Sequence, residues 1–219
     1  MGSYPIRESN FAMRLLSTVL ALIAATLAPT VRADNAAGLY PPVLQPLVNR
    51  ANALLTAGQF NDAAKLYSEA IEHSPTDYLL YYKRATAYLS LSKHASALDD
   101  FDKVLSLTSD TFDLAYLMKA RIHTRDGHFE PARKALASYK TAKGNNVSGD
   151  VEELEVVIER GQRLRDKAEK ESRAQLWNAC VETSSSVLRD ASHSIEIREW
   201  RAECALAAGD VESAVADLT

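Results

Sequence analysis

An all-α solenoid of stacked antiparallel helix pairs is the fold that this sequence predicts. Three observations carry the expectation: small and large apolar residues return together at a spacing near thirty-four, a helix-stopping residue marks a fixed point of each repeat, and the composition suits helix. Among 219 residues, 47% are hydrophobic and only 8 are Gly and 7 Pro. That is enough apolar surface for a core with few helix breakers, which excludes a disordered or collagen-like chain. The 25 basic residues fall short of the 29 acidic ones, for a net charge of -4. No uniform positive field exists to hold a polyanion, so no nucleic-acid partner is expected. Two Cys cannot build a disulfide framework or a four-thiolate zinc site.

At the N-terminus, Arg14 precedes an uncharged run from Leu15 to Val31 whose apolar centre, Leu15 to Ala28, stops at Pro29 and leads into Val31-Arg32-Ala33. A basic residue, a short apolar stretch and small residues before a cut have the layout of a secretory signal. Residues 1–33 are therefore read as a signal peptide cleaved after Ala33, with Met13 as a suitable start and 1–12 as an upstream extension. The apolar centre falls short of the roughly 20 residues a membrane span needs. No stable span is expected once the signal is removed.

Three repeats occupy 34–149. With Gly58 as reference, the first reads Leu47, Ala51, Leu54, Gly58, Phe60, Ala63, Tyr67, Ala70 and Pro75. Tyr81, Ala85, Tyr88, Ser92, His94, Ala97, Phe101 and Val104 fill the same slots in the second, with Ser109 where the proline was. After one inserted residue come Tyr116, Ala120, His123, Gly127, Phe129, Ala132, Leu136 and Tyr139. The slots describe two antiparallel helices. Small residues such as Ala51 and Ala63 permit close approach, Leu54 and Tyr67 fill the gaps beside them, and the turn Gly adopts the left-handed conformation without strain. This pattern resembles the tetratricopeptide repeat.

Lys143 to Gly149 is a Gly/Asn/Ser-rich loop and the clearest boundary in the sequence. Beyond it, 150–219 reads as a long linking helix with repeats four and five. The helix is expected over Asp150 to Arg173, with Leu154, Val157, Ile158, Gln162, Leu164 and Ala168 as an apolar stripe among alternating charges. Its charges are expected to pair along the helix, Glu159 with Arg163 and Asp166 with Lys170. Repeat four continues through Gln175, Trp177, Cys180, Ser184 and Val187, and repeat five through Arg198, Ala202, Ala205, Gly209, Val211, Ala214 and Leu218. A stacked repeat leaves an apolar face for the next, so a chain stopping at Thr219 reads as truncated, a fragment of a longer protein.

No metalloprotease His pair, nucleophile elbow, phosphate-cradling loop or kinase signature is present. Neither an enzyme, nor a cofactor, nor a metal site is expected. His123 falls in a large core slot and His128 follows the turn Gly, so packing and turn geometry account for both. Cys180 and Cys204 fall on neighbouring helices of repeats four and five, which allows a disulfide. Two small buried core residues are the alternative. Asn146-Val147-Ser148 is an N-glycosylation sequon in the loop.

In stacked repeats the first helices line the concave side, the usual binding face. Helical spacing places Val48, Asn52 and Leu55 there, then Leu79, Tyr82, Thr86 and Leu89, then Leu114, Leu117 and Arg121. The client-binding groove is read as Val48, Asn52, Leu55, Leu79, Tyr82, Leu89, Leu114 and Leu117. An apolar strip of this kind suits extended or unfolded polypeptide with exposed hydrophobic side chains. Repeat proteins that hold the acidic C-terminal tails of cytosolic chaperones would place Lys at Val48, Asn at Asn52 and Lys83, and basic residues at Leu114 and Met118. Only Asn52 matches, which leaves too few charge-assisted donors for a carboxylate.

The signal, three repeats beginning near Leu44, a long charged helix, Glu196-Ile-Arg-Glu-Trp-Arg-Ala-Glu-Cys204, Gly209-Asp and Ala214-Val-Ala-Asp-Leu218 together resemble one family. It is the endoplasmic-reticulum J-domain co-chaperones of the type called inhibitor of the double-stranded-RNA-activated protein kinase. The resemblance implies a lumenal protein whose repeats bind unfolded or misfolded polypeptides and whose J domain recruits the lumenal Hsp70. The sequence contains no His-Pro-Asp tripeptide, so client holding is expected of this chain and ATPase stimulation is not. A scaffold that binds one folded partner is the alternative reading.

Overall fold

The computed structural model describes residues 40–144 and 148–218. The expected signal peptide, 1–33, and Asn146 lie outside the described residues. The chain divides into two compact units, 1–45 and 46–219. The described part of the first is a turn in which the N–H groups of Leu44 and Gln45 both donate to the Pro41 carbonyl.

Among the described residues there are ten helices and no strand. They are α1 (Gln45–Thr56), α2 (Phe60–His73), α3 (Tyr78–Ser90), α4 (His94–Leu107), α5 (Asp113–Arg125), α6 (Phe129–Lys143), α7 (Gly149–Arg173), α8 (Trp177–Leu188), α9 (Ile195–Ala207) and α10 (Val211–Leu218). From α2 onward each helix packs on the next along the chain. Within the first pair, Asn52 of α1 accepts a 2.8 Å hydrogen bond from the Tyr67 hydroxyl of α2.

One turn closes every pair. Gly58, Ser92, Gly127, Gln175 and Gly209 have φ of 76, 55, 78, 58 and 90°. The next N–H then reaches back five residues at 2.8 to 2.9 Å: Gln59 to Leu54, Lys93 to Tyr88, His128 to His123, Leu176 to Glu171 and Asp210 to Ala205. This bond satisfies a helix-end carbonyl that would otherwise be orphaned. Ser92 and Gln175 therefore hold a left-handed conformation that costs a residue with a side chain about 1 kcal/mol. The residue inserted after repeat two is absorbed where Ser109 and Asp110 both turn left-handed.

Behind the turns, the small slot of each first helix is closed: Ala51, Ala85, Ala120 and Ala168 are fully buried and Ala202 is 3% exposed. The large slot of the second helix weakens along the chain. Tyr67 and Phe101 fill it completely, whereas Ser184 takes it in repeat four, buried and with its hydroxyl unpartnered. One turn before Ser184, Cys180 is joined to Cys204 of α9 by a disulfide with a Cα–Cα distance of 6.1 Å.

Two ion-pair clamps, which composition and spacing had not singled out, recur in the same repeat positions. Arg84 makes a two-pronged contact with Asp100 at 2.7 and 2.9 Å and donates to Ser68 at 2.9 Å. Arg201 grips Asp217 in the same way and donates to Ser185 at 3.2 Å. In both, the arginine sits sixteen residues from each partner. Each clamp ties the second helix of one repeat to both helices of the next.

α6 and α7 pack against each other. Phe129, Leu136 and Tyr139 of α6 share a core with Val151 and Ile158 of α7. Gly161 permits the close approach, since a Cβ there would lie 2.2 Å from a Phe129 ring carbon. The charges of α7 depart from the expected pairing. Neither Glu159 with Arg163 nor Asp166 with Lys170 forms among the described ion pairs; instead Arg160 reaches Asp190, Arg165 reaches Glu196, and Lys167 pairs with Glu171. Neighbouring elements stand close enough to capture these side chains, and Asp166 instead accepts from Gln162 at 2.7 Å.

Candidate functional site

The first helices α1, α3 and α5 present the predicted face, but not all of it is open. Val48 is fully buried and Leu117 is 8% exposed. Leu117 belongs to the core with Ala120 and Leu136. Both must be removed from the groove, because the apolar stripe of these helices is wider than the part left uncovered. Leu55, Leu79, Tyr82 and Leu89 are half-buried, and Leu114 is 42% exposed. These five form the accessible remainder.

Three ring contacts brace this face. Tyr82 meets the rings of Phe101 and Phe112 edge-on, at 5.9 and 5.3 Å, and Tyr78 packs on Phe112 at 5.3 Å. Phe112, just before α5, was not among the sequence candidates; it lies one residue outside the helical pattern that selected them. Asn52 is occupied as well, accepting from Tyr67 and, at 2.9 Å, from the Lys83 ammonium. Burial pulls the Lys83 pKa down, against the opposing pull of Asp77. The one match to a tail-binding clamp is thus spent on joining repeats one and two.

Further along, the surface changes character. A groove of about 510 Å³ runs between α5 and α7, lined on its apolar side by Leu89, Met118, Leu154 and Val157 and elsewhere by Arg121, Arg125 and Arg189. Arg121 pairs with Asp150 at the start of α7. Of its three arginines the sequence pattern pointed to Arg121 alone, and of its apolar lining Leu89 is shared with the first face. Arg125 is one helical turn further along α5, and Arg189 arrives from the end of α8, so only the fold brings the third cation to this place.

A second cluster joins four of the five histidines near the turn of repeat three. His94 Nδ1 contacts the Asp126 carboxylate, His94 and His193 rings lie 4.7 Å apart, and His123 and His128 rings 6.2 Å. Burial lowers the His123 pKa, with Lys119 and His128 adding to it. Burial likewise lowers His193, helped by His94 and Arg125. Among the described residues no group of three or more His, Cys, Asp or Glu is placed to hold a metal ion, and no helix is long and apolar enough to cross a membrane.

Comparison with known proteins agrees with this architecture. A family profile described as tetratricopeptide repeat matches residues 48–111. The tetratricopeptide repeat and J domain-containing co-chaperone DNJ1 of Cryptococcus neoformans is 36% identical over 81% of this chain and 33% of its own length. DnaJ homolog subfamily C member 3 of Homo sapiens is 30% identical over 75% of this chain and 33% of its own length. Among solved structures, the repeat domain of P58(IPK) superposes with a TM-score of 0.68 at 28% identity, covering 80% of this chain and 49% of that one. The chain thus spans about a third of the length of these curated relatives. Stacked helix pairs, recurrent left-handed turns and these similarities lead to one conclusion: the chain is a tetratricopeptide-repeat module, homologous to the repeat part of the DnaJ subfamily C proteins.

Proposed function

We propose that this module holds unfolded or misfolded polypeptide in the lumen of the endoplasmic reticulum, on the face made by Leu55, Leu79, Tyr82, Leu89 and Leu114. The observation that carries the reading is a set of partly open apolar side chains on successive first helices. Such side chains gain by covering the exposed hydrophobic groups of a loose chain. The disulfide between Cys180 and Cys204 and the signal-like 1–33 support an oxidising compartment. Relatives carry a J domain in their names; in a protein that joined one to these repeats, the held chain would pass to the lumenal Hsp70.

Leu79→Asp combined with Leu114→Asp tests the face, since both side chains are accessible and neither fills the core. The variant should keep its helicity and lose suppression of aggregation of a denatured reporter. Undiminished suppression would overturn the reading. If unrelated unfolded proteins failed to compete for the face, a scaffold with one folded partner would replace it. Translation into microsomes tests the compartment: a protease-protected product cleaved near residue 33 is expected, and an accessible, uncleaved product would refute it.

A further inference from the structure

We propose that the groove between α5 and α7 is a second peptide site of different chemistry, selective for an extended segment that alternates aliphatic and acidic side chains. This deepens the client-holding reading and rests on it. The lining combines two features that the first face lacks together. Leu89, Met118, Leu154 and Val157 offer apolar contact, and Arg121, Arg125 and Arg189 stand around them, against a single lining carboxylate, Asp190.

Three carboxylates of the surrounding elements are already committed. Asp150 pairs with Arg121, Asp190 is gripped by Arg160 through three contacts of 2.7 to 3.1 Å, and Asp126 contacts His94. Arg125 and Arg189 are both exposed, and neither has a carboxylate partner among the described ion pairs. Among the described hydrogen bonds Arg189 donates to the Ser186 hydroxyl, at 3.1 Å. The groove therefore keeps two exposed guanidinium groups without a described carboxylate partner, next to apolar side chains.

A guanidinium binds a carboxylate through paired, charge-assisted hydrogen bonds. Along an extended peptide, successive side chains point to opposite sides, so an aliphatic residue can enter the floor while its acidic neighbours reach the rim. The cations come from two separate elements, the C-terminal half of α5 and the end of α8. That spread suits side-chain carboxylates distributed along a segment better than the single carboxylate of a chain terminus.

The test uses the full chain and fluorescein-labelled, C-terminally amidated twelve-residue peptides, long enough to cross the groove with residues to spare, read by fluorescence anisotropy. Peptides of alternating Leu and Glu, Leu and Lys, and Ser and Glu are compared. The Leu/Glu peptide is expected to bind at least about tenfold more tightly than either other, and to weaken as salt is raised. Arg125→Gln with Arg189→Gln should remove at least about tenfold of that affinity, the worth of a single charge-assisted contact, while circular dichroism stays unchanged. Equal binding of Leu/Glu and Leu/Lys peptides, or no effect of the arginine changes, would overturn the proposal. Loss of binding on amidation, with a free-acid peptide still bound, would also overturn it in favour of terminal-carboxylate capture. The Leu79→Asp/Leu114→Asp variant separates the two sites: it should lose aggregation suppression and keep Leu/Glu binding. Intact suppression in a chain that shows no Leu/Glu preference would refute this second site and leave the first standing.

Discussion

Gly161→Ala probes the approach of α6 and α7 directly. The added Cβ would lie 2.2, 2.4 and 2.9 Å from three ring carbons of Phe129, a side chain that is 2% exposed. On an open helix the same change would stabilise by about 1 kcal/mol, because Ala is the better helix former. Overpacking a core costs about 1–3 kcal/mol, and contacts this short belong at the upper end. The net expectation is a loss of about 2 kcal/mol. Phe129→Leu alone should also destabilise, through lost burial and a cavity. Combined, the two changes should cost less than their sum by about 2 kcal/mol, because the shorter side chain makes room for the methyl group. Urea unfolding followed by far-ultraviolet circular dichroism measures each variant, with the midpoint read at an unchanged slope. A Gly161→Ala protein as stable as the parent, or costs that simply add, would refute the proposed contact between Gly161 and Phe129.

The turns offer a contrast, since Gly58 has a left-handed φ and open space around its missing Cβ. Gly58→Ala should cost about 1 kcal/mol from backbone strain alone, and Ser92→Gly or Gln175→Gly should gain about 0.5 kcal/mol, both by urea titration. Cys180 and Cys204 are separated by 24 positions, so replacing both with Ala should lower stability by about 3 kcal/mol. Reductant should destabilise the parent by a similar amount and leave the variant unchanged; two titratable thiols in the unreduced parent would refute this. His123 and His193 have folded pKa values below the ordinary one, so the unfolded chain takes up protons more readily. Stability should be full above about pH 6.5 and fall as pH drops below it. His123→Leu should flatten that slope, and an unchanged slope would show that His123 is not responsible.

Much of the fold is legible in the residue pattern because each repeat is a local object. A left-handed turn between two amphipathic helices needs a small or permissive residue at the same offset, and Gly58, Gly127 and Gly209 announce it. Ser92 and Gln175 are legible only through the period, as neither favours that conformation. The site is less legible. Spacing gives the angle of a side chain around its helix and is silent on what stands opposite, so Val48 and Leu117 looked equivalent to Leu55 and Leu114 until the neighbouring helices covered them. The Arg84 and Arg201 clamps escaped notice for a related reason: sixteen residues is no helical period, and only the antiparallel return of the chain makes it a contact distance.

Local propensity and period therefore determined the helices, their turns and the stacking order, since these depend on residues near one another in the chain. Which apolar side chains remain open, that Asn52 is spent on Tyr67 and Lys83, and that Arg189 joins Arg121 and Arg125 beside an apolar floor were decided by tertiary structure. Burial and charge partnership depend on what distant segments bring to the same place, and no residue carries that information alone.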